Sequence, residues 1–291
     1  MCCHGVSRSP RVDPDTARLA HLAVQAADSM TKSEIRFDNG AAYERYMGRW
    51  SQLVGDAFLD WLEPRPRLRW LDVGCGNGAF TRMLATRCAP ASLDGIDPAE
   101  SMLAFARAVP ELNNACFRQG DAMALPYPDG SFDAAVMPLV IFFVPDPAKG
   151  VAEMARVTAT GGIVTAYGWD MVSGGFPYSA VRDELCDMGF DTPEPPSRDA
   201  SRPEVLQGLW EAAGLTAIES RVFTVERTFA NFDDYWATVL GGPSTSATLR
   251  ALPADDIAHL QERLRKRLSA DAAGRITYGA RANAIKGRVP A

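Results

Sequence analysis

The sequence predicts a three-layer α/β sandwich, in which helices cover both faces of a mostly parallel sheet. Three observations support this fold class. Between residues 68 and 169, apolar segments that suit buried strands alternate five times with segments of helical period, as expected of a parallel sheet. The first of these strands runs directly into a glycine-rich loop and a helix. Near the C-terminus, two long strand-like segments enclose a helical one.

Composition and charge limit the classes of partner. The chain has 291 residues, 47% of them hydrophobic and 23% charged, which is ordinary for a globular protein. Its net charge of -6 is unfavourable for contact with phosphate backbones, so nucleic acid is not an expected partner. The longest apolar run, residues 136–145, is too short to cross a bilayer. The oligomeric state is left open.

Cysteine usage and the N-terminus indicate the compartment and the domain boundaries. The six cysteines have neither metal-site nor disulfide spacing, so we expect a reduced, cytoplasmic protein without a metal site. Residues 1–36 contain no signal-peptide core and are predicted to be a disordered extension. Residues 37–291 are predicted to form the folded domain.

The segment 37–62 is predicted to be a helix that covers the sheet. Tyr43, Tyr46, Met47 and Trp50 recur at helical spacing and form an aromatic stripe on one face. Such a stripe usually packs against a sheet, but part of it could instead wall a ligand pocket. The sequence leaves both interpretations open.

The glycine loop follows the first predicted strand. Gly74, Gly76 and Gly78 allow a tight turn and a close approach of a ligand to the backbone. The same residues also satisfy a dinucleotide-binding fingerprint. Asp72, at the end of the strand, favours another ligand, because its carboxylate would repel a pyrophosphate and attract a molecule with a sulfonium and an ammonium group.

Asp72-x-Gly74-x-Gly76-x-Gly78 resembles the cofactor loop of the class I S-adenosyl-L-methionine (SAM)-dependent methyltransferases. Residues 153–162 are similar to the corresponding run in ubiquinone/menaquinone-type members, and the resemblance extends over residues 37–169. It implies a Rossmann-like fold whose seven-stranded sheet has the order 3-2-1-4-5-7-6, with an antiparallel last strand. It also implies SAM as the co-substrate and a small molecule as the acceptor.

Asp97 ends the second predicted strand, about twenty residues past the loop, where an acid is expected to accept hydrogen bonds from ribose hydroxyls. Asp97 followed by Pro98 is also typical of a helix N-cap with proline in the first turn. Both roles can coexist. On this basis Asp97→Asn should weaken SAM binding about ten-fold and leave stability nearly unchanged.

Further contacts to SAM follow from the resemblance. Asp121 and Ala122 match the segment that holds adenine, although Asp121 could be only a turn residue. Pro138 would lie over the transferred methyl group, and Arg49 could meet the methionine carboxylate. The complete predicted cofactor set is Tyr46, Arg49, Asp72, Gly74, Cys75, Gly76, Asp97, Pro98, Met102, Asp121, Ala122 and Pro138.

The C-terminal part is predicted from composition and period. Residues 170–203 are rich in glycine and proline and are expected to be irregular. A long strand over 216–229 is followed by a helical insert, residues 231–270, and by a returning strand over 274–289. The insert is expected to be a lid over the acceptor site.

The predicted function is transfer of a methyl group from SAM to an oxygen, nitrogen or carbon atom of a small molecule. The methyl group on a sulfonium is already electrophilic, so the protein mainly orients and desolvates. No catalytic residue is assigned, since His259 lies off the apolar face of its predicted helix. Two alternatives stay open: an NAD(P)-dependent oxidoreductase that uses the same loop, and a non-catalytic binding protein with this fold.

Overall fold

The computed structural model describes residues 44–242 and 245–291. The predicted extension over 1–36 and Tyr43 of the aromatic stripe lie outside these residues. Within the described ranges, no helix has the length and apolar character needed to cross a membrane.

Seven strands form one sheet in the predicted order 3-2-1-4-5-7-6. Strands β1 to β5 run parallel to one another, and β7 is antiparallel to both β5 and β6. The strands are β1 (Arg69–Val73), β2 (Ser92–Asp97), β3 (Cys116–Gln119), β4 (Phe132–Pro138), β5 (Thr158–Trp169), β6 (Thr216–Phe229) and β7 (Ile276–Arg288).

The helices flank this sheet. A π-helical turn, Glu44–Gly48, leads into the first α-helix, and short 3-10 turns occur at Pro110–Leu112, Ile141–Phe143 and Arg198–Ser201. The α-helices are α1 (Arg49–Leu62), α2 (Ala79–Arg87), α3 (Glu100–Arg107), α4 (Pro147–Val157), α5 (Ser179–Asp187), α6 (Pro203–Ala212), α7 (Phe232–Val239), α8 (Thr245–Ala251) and α9 (Ala254–Arg267).

The central strands explain where the loops meet. Residues 70–73 of β1 are completely buried, as are most residues of β4. In the parallel registers Val73 lies opposite Ile96, and Asp72 lies opposite Val136. The carboxyl ends of β1, β2 and β4 therefore meet at one edge of the sheet, which is where parallel sheets bind ligands.

The aromatic stripe packs into the core. Trp50 is fully buried, and its Nε1 donates a hydrogen bond of 3.2 Å to the hydroxyl of Tyr178. Tyr46 is 2% exposed and stacks on Tyr178, with ring centroids 4.2 Å apart. Of the two interpretations of the stripe, the structure therefore supports packing for these two residues.

Residues 170–203 are more regular than expected. Helix α5 lies within this segment and buries Ala180, Val181 and Leu185. The prediction of an irregular segment was wrong here, because the surrounding prolines and glycines dominate the composition and hide a short helix. Glu184 on the same helix accepts hydrogen bonds from Arg263 and Arg267 of α9.

The insert is helical, as predicted, and consists of α7, α8 and α9. It begins at Asn231, whose side chain caps α7 by accepting from the backbone N–H of Asp234 at 2.9 Å. It leaves the sheet at the end of β6 and returns at the start of β7, where Phe229 and Ile276 are paired in register.

Candidate functional site

The glycine loop between β1 and α2 is held tightly against the next strand. The backbone N–H of Gly74 donates to the carbonyl oxygen of Ile96 at 2.7 Å. Gly74 has φ +74°, and an added Cβ would lie 2.6 Å from Val140 Cγ1. Gly76 and Gly78 also have positive φ, of +53° and +81°. The loop therefore requires glycine, for conformation and for space.

Asp97, at the end of β2, holds the glycine loop through hydrogen bonds to the backbone. Its Oδ2 accepts from the backbone N–H of Gly76, and its Oδ1 accepts from the N–H of Ala99, both at 2.9 Å. Burial raises the pKa of Asp97, and the two backbone hydrogen bonds lower it. Each oxygen keeps a second lone pair, so the carboxylate is oriented and can still accept from a ligand.

The predicted N-cap role of Asp97 is wrong in detail. Ala99 occupies the N-cap position of α3, and no side chain caps the helix. Asp97 instead forms a local turn through the N–H of Ala99. This is an aspartate turn next to a helix, which resembles a cap in the sequence.

Asp72 lies beneath the loop and is fully buried. Its Oδ2 accepts from the Thr81 hydroxyl at 2.6 Å, while Oδ1 has no hydrogen-bond partner in the described part of the chain. Burial raises the pKa of Asp72 to about 7; the Thr81 hydrogen bond lowers it, and the charge of Asp97 raises it. Its carboxylate thus acts on the cavity by its charge and by holding Thr81 of α2.

A cavity of about 180 Å³ opens between the glycine loop, the end of β2 and the end of β4. Seven of the predicted cofactor residues line it: Gly74, Cys75, Gly76, Asp97, Pro98, Met102 and Pro138. The other lining residues are Ser51, Asn77, Ala79, Phe80, Ala99, Leu139, Val140 and Phe143.

Asp121 and Ala122 are not among the lining residues. The Oδ1 atom of Asp121 accepts from the backbone N–H of Met123 at 2.8 Å, which stabilises the turn after β3. The turn role that the sequence left open is therefore present. Gly120, just before it, donates from its N–H to the carbonyl of Asp97, so the turn adjoins the end of β2.

Tyr46 and Arg49 also lie outside the lining set. Tyr46 is buried against Tyr178, and the exposed guanidinium of Arg49 donates to Gln52 Oε1 at 3.1 Å. Ser51, two residues after Arg49 on α1, lines the cavity instead. Helical spacing identified the correct helix but not which of its side chains faces the ligand.

Leu139, which follows Pro138 at the end of β4, also lines the cavity. Its φ is +60°, which is uncommon for a residue other than glycine, and its N–H donates to the carbonyl of Tyr167 at 2.7 Å. This conformation directs the chain across the cavity from Pro138 to Val140. A strained residue of this kind costs about 1–3 kcal/mol and is often found at functional sites.

Comparison with known proteins agrees with this geometry. Residues 71–166 match the family described as "Methyltransferase domain". These residues therefore carry a methyltransferase domain. The demethylmenaquinone methyltransferase of Thermus thermophilus is 38% identical over 116 residues, which cover 39% of this chain and 51% of that protein. The malonyl-[acyl-carrier protein] O-methyltransferase of Halorhodospira halophila is 35% identical over 144 residues, or 47% of this chain and 48% of that protein.

The chain spans about half the length, or less, of the curated relatives it matches. Among solved structures, the YcgJ protein of Bacillus subtilis has a TM-score of 0.58 and 20% identity, and the alignment covers 84% of this chain and 99% of that one. At this identity the likeness concerns the fold alone, and it agrees with the methyltransferase sheet order.

The match to a methyltransferase domain implies SAM as the cofactor, and the residues that line the cavity fit it. The spare lone pairs of Asp97 suit the two ribose hydroxyls, and Pro98 and Met102 offer an apolar surface for the adenine. Gly76 presents backbone where a Cβ would project near Met102, 3.5 Å from its Cε. A cationic sulfonium also suits a cavity whose described lining carries the carboxylate of Asp97 and no cationic side chain.

Proposed function

We propose that this protein transfers a methyl group from SAM to an oxygen, nitrogen or carbon atom of a small molecule. One observation carries the proposal. Among the described residues that line the cavity, Asp97 is the single charged one, and none is a cation. This lining suits a cationic cofactor with a ribose and offers nothing to neutralise a pyrophosphate, which argues against an NAD(P)-dependent oxidoreductase.

The residues of the chain act mainly by positioning SAM and the acceptor. Bound SAM supplies a methyl group that is already electrophilic. Pro138, Leu139, Val140 and Phe143 form an apolar wall at the end of β4, and such a wall excludes water from the acceptor side of the cavity. An acceptor aligned there needs no enzymic nucleophile.

The remaining predicted contacts belong to this proposal. We propose that the turn at Asp121 and Ala122 meets the adenine when SAM binds, since it adjoins the end of β2. We also propose that residues 231–270 form a lid on the acceptor side. The ring of Tyr235, in this insert, lies 6.2 Å from that of Tyr178, which supports a lid that packs on the aromatic cluster of the core.

We further propose a cytoplasmic location and no nucleic-acid partner. The net charge of -6 supports the second point. Four described cysteines, Cys75, Cys88, Cys116 and Cys186, are free thiols, which suits a reducing compartment.

A matched pair of glycine variants tests the proposed function. Gly76 and Gly214 both have positive φ, of +53° and +74°, and neither has a neighbour that an added Cβ would strike. Alanine at either position therefore costs roughly 1 kcal/mol of backbone strain. Only Gly76 lines the cavity. Gly76→Ala should weaken SAM binding at least about ten-fold, and Gly214→Ala should leave it unchanged.

Calorimetry with SAM and release of S-adenosylhomocysteine from a small-molecule library are the measurements. Product formation by the wild type and by Gly214→Ala, with loss in Gly76→Ala, supports the proposal. SAM binding without product from any acceptor class would instead favour the non-catalytic binding protein. Absence of SAM binding to the wild type would overturn the proposal.

A further inference from the structure

Arg227 occupies an inward position on β6. Side chains alternate along a strand, and the covered face of β6 carries Phe223, Val225, Arg227 and Phe229. The intervening residues of this stretch, such as Glu226, are exposed. An arginine thus occupies a position at which the alternation of side chains along β6 predicts an apolar residue.

Among the described residues, this guanidinium has no anionic partner. Its Cζ lies 4.5 Å from the ring centroid of Phe229, and its Nη1 is buried without a hydrogen-bond partner in the described residues. The carboxylates nearest in sequence on the insert are engaged elsewhere. Asp234 accepts from the N–H of Ala230, and Asp233 is paired with Arg265 at 3.8 Å.

A tyrosine hydroxyl in the same cluster is also unsatisfied. Tyr235 of α7 is completely buried, and its hydroxyl has no partner among residues 44–242 and 245–291. Its ring lies 5.2 Å from that of Phe229, the ring that Arg227 covers, and 6.2 Å from that of Tyr178. Burial raises the pKa of Tyr235, so the hydroxyl stays protonated and can donate.

The cluster lies at the same edge of the sheet as the cofactor cavity. Arg227 pairs in register with Tyr278, whereas the last residue of β5, Trp169, pairs with Ala282 of the same strand β7. Arg227 is therefore beyond the carboxyl end of β5. Trp50 contacts both Trp169 and Tyr178, and its neighbour Ser51 lines the cavity.

A half-buried guanidinium whose Nη1 has no partner and a fully buried hydroxyl without a partner are unfavourable unless a ligand compensates them. Both groups are donors, and the single guanidinium balances one negative charge. We propose that Arg227 and Tyr235 bind the carboxylate of an aromatic carboxylic acid, which is the methyl acceptor. The half-buried rings of Phe232 and Tyr278, whose centroids lie 6.2 and 6.5 Å from that of Tyr235, supply the surface for its aromatic part. That the bound acid is the methyl acceptor rests on the function proposed above. The carboxylate-binding site itself does not depend on that function.

Arg227→Met tests the site, with Arg221→Met as its matched control. Arg221 is on the same strand and likewise covers a phenylalanine ring, with its Cζ 5.8 Å from the centroid of Phe223, but it is exposed. The probes are benzoate, 4-hydroxybenzoate and 3-(4-hydroxyphenyl)propanoate, each beside its neutral primary amide. Calorimetry is done with S-adenosylhomocysteine present.

The wild type should bind at least one acid about ten-fold or more tightly than its amide. Arg227→Met should abolish this preference, and Arg221→Met should retain it. Arg227→Lys, which keeps the charge but not the paired donors, should retain part of it. Equal binding of acids and amides by the wild type, or an unchanged preference in Arg227→Met, would overturn the inference.

Thermal melting without ligand separates binding from a structural role. Removing a half-buried charge that has no anionic partner among the described residues should raise the melting temperature of Arg227→Met above that of the wild type. A lower melting temperature would show that Arg227 stabilises the fold, and it would contradict the proposal. Acid binding that depends on Arg227 in a protein that never forms S-adenosylhomocysteine would support the carboxylate site and overturn only the methyl-transfer function.

Discussion

At the scale of single residues, Asp97 determines how the cofactor loop is held. Both of its oxygens accept backbone N–H groups, from Gly76 and from Ala99. An asparagine has only one side-chain oxygen, and its NH₂ cannot accept a hydrogen bond. The sequence-based expectation that Asp97→Asn would leave stability unchanged is therefore revised.

Asp97→Asn should now lower both stability and cofactor affinity. We expect a loss of about 1–2 kcal/mol in the free energy of unfolding, because one backbone N–H loses its acceptor, and a fall in SAM affinity of at least about ten-fold. Urea denaturation and calorimetry measure the two effects. Asp121→Asn is the control for stability, since its turn is exposed. If the free energy of unfolding of Asp97→Asn equals that of the wild type, the two backbone hydrogen bonds of Asp97 do not stabilise the loop.

Asp72 should make stability depend on pH. Burial raises its pKa to about 7 from an unfolded value near 4. The folded protein therefore binds a proton more strongly than the unfolded chain, so stability is highest at low pH and is lost as pH rises through about 7. Each pH unit between the two pKa values corresponds to about 1.4 kcal/mol.

Asp72→Asn removes this titration and keeps an acceptor for the Thr81 hydroxyl. Relative to the wild type, the variant should gain roughly 2–4 kcal/mol between pH 5 and pH 8. Urea denaturation of both proteins at the two pH values gives the difference directly, and contributions from Asp94 and Asp97 largely cancel. If the free energies of unfolding of the two proteins change with pH in the same way, Asp72 is already ionised in the folded state.

At the scale of elements, the insert is attached to the domain by charged groups. Glu184 of α5, whose side chain is 10% exposed, meets Arg263 and Arg267 of α9. Burial raises the pKa of Glu184, but the hydrogen bonds from the two arginines bring it below its ordinary value. This contribution to stability is complete above about pH 5 and is lost as pH falls through the lowered pKa.

Glu184→Gln should therefore loosen α9. We expect a loss of about 1–3 kcal/mol and faster amide hydrogen exchange in residues 254–267. Glu262→Gln is the matched control, because Glu262 forms an exposed pair with Lys266 on the same helix, and such pairs contribute little. If both variants exchange alike, the arginine pairs do not hold the insert.

Elements with a strong local signal were predicted well. The limits of β6 coincide with the predicted strand 216–229, and the helix after Asp146 begins at Pro147 with the predicted cap. Helix α5 was missed because its inner face is short. Arg227 could have been found, since Phe223, Val225 and Phe229 alternate with exposed residues and mark its position as inward.

The burial of individual side chains was predicted less well than the order of the strands. The spacing that placed Tyr46 on one face of a helix could not reveal that Tyr178, far along the chain, would cover it. The position of Asp72 indicated a charge near the ligand but not its burial under Thr81. Both depend on packing between distant segments, which local patterns do not contain.

At the scale of the whole molecule, cofactor binding should stabilise the entire fold. Because SAM and S-adenosylhomocysteine bind the folded state, either one at a hundred times its dissociation constant should add about 2.7 kcal/mol to the free energy of unfolding. NADH should leave the melting temperature unchanged, because the cavity has no cation for its pyrophosphate. A thermal melt with each compound provides the test. Stabilisation by NADH and not by SAM would overturn the assignment of the cofactor.

The pairing of Phe229 with Ile276 has a consequence for how such proteins diversify. The insert leaves and re-enters the sheet at adjacent points, so the ends of its chain are already held together. Loop-closure entropy grows only with the logarithm of length, and doubling a loop costs about 0.6 kcal/mol. Residues 230–275 can therefore be lengthened or exchanged at little cost to the sheet. Under the proposal that this insert covers the acceptor site, evolution or design can change the acceptor through this one segment while the glycine loop keeps its geometry.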